Sequence, residues 1–517
     1  MDFGGLVRKF ALFAVLCCVR NWVCGEIVID THERLCEVSK NFLSVAVDTN
    51  FIFKHDLTKF LGSATFMNIL SGLRPAYLRI GGTAADTVIF DETFTDDIPP
   101  NSDGDDLSLM ANLSWNVEED SCISRSWPDL YLSGDRWLAI NAIASKAKLN
   151  LLFDLNVLLR KTSGEWNSTN AQKLIEFSQE NNLLLDWQLG NEPNSFCHVF
   201  GKQVPPRQLA KDFKTLSRIL SKFPHYHKSK LVGPDITAPR GPKKRQAATL
   251  RYLDRFMAKA GNTISAASWH QYYFSGRNAT VEEFIKPSML DVLKREILDV
   301  KAVVINNTDA FFPVWLTETA SAFGGGSPHL SNRFVSGFMW LDKLGMAASQ
   351  NVSVVIRQSF IGGNYGLIHT KSFDPTPNYW IAYLYKKIVG KTVLKVKTTS
   401  GSLIRLYAHC YKKHKKADSR KNSIVIFGMN LGHSNFKDVI SKQGSLKKFH
   451  IEKYILTGAN DQLTSRDICL NGEVIKMSPA AQLPALRPRR ETTNTIELPP
   501  HSMAFYVIRG FPASACS

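Results

Sequence analysis

Between about residues 40 and 390 the chain alternates short, nearly uninterrupted apolar runs with longer segments of helical period. Eight runs stand out: FLSVAVD (42–48), AYLRIGG (76–82), LNLLFDLNVLL (149–159), LLLDWQLGNE (183–192), KLVGPDI (230–236), ISAASWHQYY (264–273), FFPVWLTET (311–319) and VSVVIRQSF (352–360). Strands that are apolar on both faces belong in a parallel sheet covered by helices. The intervening AQKLIEFSQENN and ATLRYLDRFMAKAG carry the period that such helices need. Eight repeats of this kind predict an α/β architecture, a (β/α)8 TIM barrel over 41–390, with its active site at the C-terminal ends of the strands. A doubly wound open sheet is the alternative, but it wants a Gly-rich phosphate turn after its first strand, and the sequence has none there.

After residue 390 the pattern changes to short, partly alternating runs separated by turn residues, among them SLIRLYAHCY, NSIVIFGMNL, FHIEKYILTG and MAFYVIRG. They predict a C-terminal antiparallel β-sandwich domain over 391–517. EIVIDTH, near residue 26, has no place in the barrel pattern, so 26–40 is expected to add a strand to the sandwich. Residues 91–124 interrupt the barrel with ten acidic residues and no Lys or Arg. This insertion is either a solvated loop or a flap over a basic surface.

Composition adds a compartment and a class of partner. The formal net charge is +17, which favours polyanions. The N-terminus, MDFGGLVRKFALFAVLCCVRNWVCGE, predicts a signal peptide over 1–25, with a retained signal anchor as the alternative. Later runs are all shorter than 18 uninterrupted apolar residues, so at most peripheral membrane association is expected. Five glycosylation sequons, at Asn112, Asn167, Asn278, Asn306 and Asn351, agree with secretion. Together they direct the charge toward extracellular-matrix or lysosomal polyanions and away from nucleic acid. Six cysteines follow the signal, and Cys410 and Cys516, both in the C-terminal region, form the expected disulfide. The sequence has no CxxC or HExxH motif, so neither a metal nor a cofactor is expected.

Two of the strand-like runs end in glutamate: Glu192 closes the fourth and Glu318 the seventh. In an eight-stranded barrel these strands lie on roughly opposite sides, so their ends aim carboxylates at each other across the mouth. Glycoside hydrolysis with retention needs such a pair about 5–5.5 Å apart, one as nucleophile and one as proton donor. Glu192 is expected to be the acid/base, kept protonated by repulsion from Glu318, and Glu318 the nucleophile. Asn191 is positioned to donate a hydrogen bond to a sugar hydroxyl. For either glutamate alone, a solvated strand end is the simpler explanation.

The stretches QLGNEPNSF, WLTETASAFGGG, LRIGGT, SWHQYYFSGR and RQSFIGGNYGLI closely resemble the heparanase family of retaining endo-β-glucuronidases. The resemblance runs from about residue 27 to the C-terminus, through FDPTPNYW and YVIRG. It implies a barrel with a C-terminal sandwich, cleavage of glucuronosyl linkages in heparan sulfate without a metal, and Glu192 and Glu318 as proton donor and nucleophile. It further implies that Asp48, Thr83 and Asn191 touch sugar and that Arg240 and Arg277 meet sulfates or carboxylates. Tyr272, Gly324, Gly325, Gly363 and Tyr365 would cradle the glucuronate, with His270 a further substrate contact from the same motif as Tyr272. There are departures. CHV follows GNEPNSF, placing His198 where the family has lysine, and Ala238 replaces a polar cleft residue. Family members are processed to a two-chain form, and 91–124 occupies the excised linker's place but is shorter and lacks a basic cleavage site. The clusters PRGPKKRQ (239–246) and YKKHKK (411–416) suit extended sulfated chains, and RPRR (487–490), which has the form of a basic protease site, reads first as an exposed loop and second as a cleavage site. Two further readings remain open at this point. One is a heparan-sulfate-binding protein without activity, since the family includes a member lacking the catalytic pair. The other is an exo-β-glucuronidase on the same scaffold.

Overall fold

The computed structural model describes residues 25–95, 122, 127–412, 423–441 and 447–516. The signal segment, sequon Asn112 and most of the acidic insertion lie outside them.

Eight parallel strands form one ring: Leu43–Asp48, Tyr77–Gly81, Asn150–Leu155, Leu185–Leu189, Val232–Ile236, Ala266–Gln271, Val314–Thr319 and Val354–Arg357. Each of the eight apolar runs supplies one strand. The last pairs with the first, Ile356 opposite Ser44, and a bridge between Trp187 and Leu231 joins the fourth to the fifth. Long helices follow most strands, among them Pro206–Leu220 after the fourth, Lys243–Ala260 after the fifth and Ser336–Ser349 after the seventh.

Side chains alternate along each strand, so every second one points into the barrel. Ala46, Tyr77, Leu152, Val232, Ala266, Trp315, Val354 and Ile356 make a separate buried apolar cluster that plugs the interior. Two residues further along the same strands or just past their ends stand Asp48, Arg79, Asp154, Ser268, Thr317 and Gln358, and Gln188, Asp235 and His270 join them. The barrel therefore carries a buried polar layer on top of an apolar plug. That layer forms the floor of the mouth.

The C-terminal strands and Gly25–Glu37 form a continuous, mostly antiparallel 11-stranded sheet. The sheet curves around a second core that includes Ile27, Leu394, Ile426, Ile440, Ile451, Ile496 and Tyr506. It departs from a purely antiparallel sandwich at one place. Gly25–Glu37 runs antiparallel to Val389–Thr398 and parallel to Phe436–Ser441, because these two flanking strands run in opposite directions. Cys410 is bonded to Cys516 within this region. Asp342, buried on a barrel helix, accepts hydrogen bonds from Arg405 and Tyr407 of the sheet and so ties the two parts together.

Candidate active site

Glu192 owes its position to a forced turn. Gly190 has φ +82, and a Cβ there would lie 2.6 Å from Val157 Cγ1, so only glycine fits. Glu192 itself is left-handed, at φ 54 and ψ 50, a conformation that glutamate adopts only when its surroundings impose it. Its amide donates to the Asp235 carbonyl at 3.0 Å, and Asn191 N donates to Asp86 Oδ2 at 2.8 Å. The turn is thus fastened to the end of the fifth strand and to the short helical turn Thr83–Thr87, and the Glu192 carboxylate stands in the mouth.

Glu318 is held at both oxygens. Tyr272 OH donates to Oε1 at 2.6 Å and Arg79 Nη1 to Oε2 at 2.9 Å. Burial alone would raise its pKa, but His270, Arg79 and the Tyr272 hydroxyl outweigh burial and lower it, so Glu318 is ionised. His270 Nδ1 lies 3.0 Å from Glu192 Oε1 and 4.0 Å from Glu318 Oε2, and its Nε2 is 3.4 Å from Asp235 Oδ2. Burial disfavours its charge, yet the carboxylates of Glu318, Asp235 and Glu192 raise it to about 10. One ligand atom from each of Glu192, His270 and Glu318 lies within 4.8 Å of the others. This trio is the one grouping among the described residues with the spacing of a cation site.

Arg79, completely buried, organises the floor. Besides Glu318 it donates to Gln188 Oε1 at 2.7 Å, Asn191 Oδ1 at 2.9 Å, Asp235 Oδ2 at 2.9 Å and Asp154 Oδ2 at 3.3 Å. Burial opposes the charge of Asp235, but Arg79 and His270 hold its pKa down at about 2. Burial pushes Asp154 well above the usual carboxylate range. Burial and nearby Glu318 raise Asp48 to about 7. Asn191 Oδ1 also accepts from Gly82 N at 3.2 Å, which leaves its NH2 as the group available to donate.

A cleft of about 260 Å³ opens above this floor. Asp48, Thr83, Glu192, Arg240, His270, Tyr272, Glu318, Gly324, Gly325 and Tyr365 line it. Four other residues singled out from the sequence do not. Asn191 is buried beneath it on Arg79, and Gly363 packs behind, where a Cβ would lie 2.8 Å from the Tyr365 ring. His198 sits half-buried on the short helix Phe196–Phe200, whose neighbouring Val199 does face the cleft. Arg277 is exposed on the loop that follows Phe274–Ser275. Arg240 is also an ion-pair partner, its Nε 3.3 Å from the buried Glu296 carboxylate. Of the sequons, Asn167, Asn278 and Asn306 are exposed and Asn351 is half-buried.

Arg79, Asp235, Gln188, Asp86 and Gln358 were not singled out from the sequence. Their signal was present nonetheless: each is a charged or amide residue inside or just beyond an apolar strand, where burial demands partners. A second disulfide was not expected either. Cys122–Cys197 fastens residue 122 to the short helix after Glu192, and Trp127 Nε1 donates to Val199 O at 3.0 Å beside it.

Comparison with known proteins assigns this geometry to a family. Residues 25–345 match the model of the N-terminal domain of glycosyl hydrolase family 79. The chain belongs to glycosyl hydrolase family 79. This family 79 hydrolase is 35% identical to heparanase from Bos taurus over 95% of its own chain and 92% of the relative. It is 32% identical to a hyaluronoglucuronidase from Hirudo nipponia, over 95% and 99%. Among solved structures, a 4-O-α-L-rhamnosyl-β-D-glucuronidase from Fusarium oxysporum superposes with a TM-score of 0.65 at 14% identity, over 93% of this chain and all of that one. That likeness concerns the fold: the family 79 hydrolase shares the barrel and appended sheet of TIM-barrel glycosidases.

Proposed function

We propose that this family 79 hydrolase is a retaining endo-β-glucuronidase that cleaves glucuronosyl linkages in heparan sulfate chains of proteoglycans. The observation that carries the reading is the pair Glu192 and Glu318, with oxygens within 4.8 Å and Glu318 alone held by two donors. Glu318, ionised and fixed, attacks the anomeric carbon. Glu192 protonates the departing glycosidic oxygen, and the carboxylate it becomes is stabilised by the N–H of protonated His270. A covalent glycosyl–Glu318 ester forms as the leaving group departs. Glu192 then takes a proton from water, and the resulting attack releases a chain that ends in glucuronate with its original configuration. The glycines at 324 and 325 let backbone approach the uronate carboxylate. Two carboxylates suffice for this chemistry without a cofactor. The signal-like N-terminus and the sequons support a secreted or lysosomal setting.

A second reading is a hyaluronan-cleaving glucuronidase. It is favoured by the similarity to the leech enzyme and by the cleft itself, whose lining among the described residues offers two arginines, Arg240 and Arg245, while His198 replaces lysine just outside it. Incubating the purified protein with heparan sulfate and with hyaluronan, followed by size analysis, separates the readings. Intermediate fragments from heparan sulfate are expected. Fragments from hyaluronan alone would replace the first reading with the second, release of monosaccharide would mean exo-cleavage, and a shift in neither polymer would leave a binding protein. Glu192→Gln and Glu318→Gln are each expected to abolish cleavage while polymer binding survives.

A further inference from the structure

The net charge of this chain is concentrated in one sector. Residues 202–259 hold 15 Lys and Arg against three Asp, a net +12 out of the +17 of the whole protein. Two of those three aspartates face inward: Asp212 is buried against Arg160, and Asp235 lies in the barrel floor. The third, Asp254, accepts from Asn307 on the following helix.

The cations are also ordered. On the helix Pro206–Leu220, Leu209, Phe213, Leu216 and Leu220 are buried, and the opposite stripe is Arg207, Lys211, Lys214 and Arg218, all exposed. Their spacing of four, three and four residues keeps one face of an α-helix over about 16 Å. The next helix, Lys243–Ala260, packs beside it through Phe213 and Phe256, whose ring centroids are 5.1 Å apart. Its exposed outer stripe carries Lys244, Arg251, Arg255 and Lys259. Among the described residues none of these eight side chains is in an ion pair with Asp or Glu. Like charges at these spacings repel one another and destabilise the isolated helices, so folding alone does not account for the pattern. The second helix starts beside the cleft, where Arg245 is part of the lining.

We propose that the outer faces of these two helices form an exosite for a sulfated polysaccharide chain, distinct from the cleft and continuous with its rim. The proposal rests on the reading of the protein as a hydrolase of anionic polysaccharide. A flexible polyanion lying over the stripes neutralises these cations and releases its counterions, and the cleft at one end receives the linkage to be cut. Long chains gain an interaction that short ones cannot reach, and the second site raises the effective concentration of polymer at the first. None of the eight residues touches the reacting groups.

The test compares the full-length protein with a variant carrying Lys211→Ser, Lys214→Ser, Arg251→Ser and Arg255→Ser, and with a charge-reversed Lys211→Glu/Lys214→Glu variant. Readouts are the salt needed for elution from immobilised heparin and kcat/KM on heparan sulfate of about 20 saccharides against a tetrasaccharide. The expected result is earlier elution and a roughly tenfold loss on the long chain, with the tetrasaccharide rate unchanged. Equal elution and equal long-chain rates for variants and parent would overturn the exosite. So would loss of binding to phosphatidylserine vesicles with heparin binding intact, which would assign the face to a membrane surface. If the parent cleaves neither substrate but the variants still lose heparin binding, the exosite stands and the catalytic reading falls.

Discussion

Arg79 donates to five side chains, and three of them are carboxylates. A guanidinium can do this because its donors radiate in one plane, which a lysine ammonium does not provide. Replacing it with methionine leaves Asp235, Asp154 and Glu318 without their shared cation. Arg79→Met is therefore expected to cost about 3–5 kcal/mol, the range for breaking a buried ion pair, read as a lowered midpoint in denaturant titration. Glu318 would also lose a group that keeps it ionised. Asp48 makes a prediction of the opposite kind. Burial and Glu318 lift it from its ordinary 3.8 to about 7, so the folded protein keeps a proton that the unfolded chain gives up between those values. A group with a raised folded pKa makes stability fall as pH rises through that window. Asp48→Asn, which cannot ionise, is expected to flatten the decline in Tm between about pH 4 and 7 relative to the parent. Parallel profiles for the two proteins would contradict the assignment. At this scale the two glutamates were legible because strand order and their terminal positions named them. Arg79 was less legible. A lone arginine in AYLRIGG signals a need for partners without saying which, and its partners come from strands up to 239 residues away.

At the scale of elements, the site depends on how strands end. The turn Gly190–Asn191–Glu192 leaves the fourth strand through two consecutive demands, a positive φ at Gly190 and a left-handed glutamate two residues later. Gly190→Ala would meet both an unfavourable backbone and the Val157 side chain, a strain of about 1–3 kcal/mol. By shifting Glu192 it is also expected to lower kcat by about 10²-fold, since small displacements of a catalytic group carry that cost. Steady-state kinetics beside thermal unfolding would check both effects, and parental kcat would show that the turn does not set the position of Glu192. The strands themselves were readable as continuous apolar runs, because a parallel barrel buries both faces. What the runs did not reveal was the division of the interior into an apolar plug and a polar layer, which depends on the inward register of each strand. They also did not place His198 or Arg277, since short helices and loops follow local turns rather than a period.

For the molecule as a whole, the barrel supplies the chemistry and the curved sheet closes off one side of it. The strand Gly25–Glu37 belongs to the sheet although the barrel follows it directly, so the first and last described segments are built into one layer. This was legible from the strand left over by the barrel pattern, whereas its parallel neighbour Phe436–Ser441 was not, because pairing direction has no local signature. Cys410–Cys516 closes a span of 106 residues in that layer. Its removal as Cys410→Ser/Cys516→Ser is expected to lower stability by about 2–4 kcal/mol, measured as a drop in Tm. Activity at low temperature should be retained, because neither cysteine approaches the cleft.

Retention requires Glu318 to form a covalent bond to the sugar while Glu192 handles protons. Incubation with a 2-deoxy-2-fluoro-β-glucuronyl fluoride, followed by proteolysis and mass spectrometry, observes that bond directly. The fluorine at C2 slows both steps, and the good fluoride leaving group at the anomeric carbon restores the first alone, so the intermediate accumulates. The predicted result is inactivation with one sugar attached to the peptide that contains WLTET, on Glu318. A sugar on Glu192, or turnover to the inverted product with no labelled peptide, would contradict it.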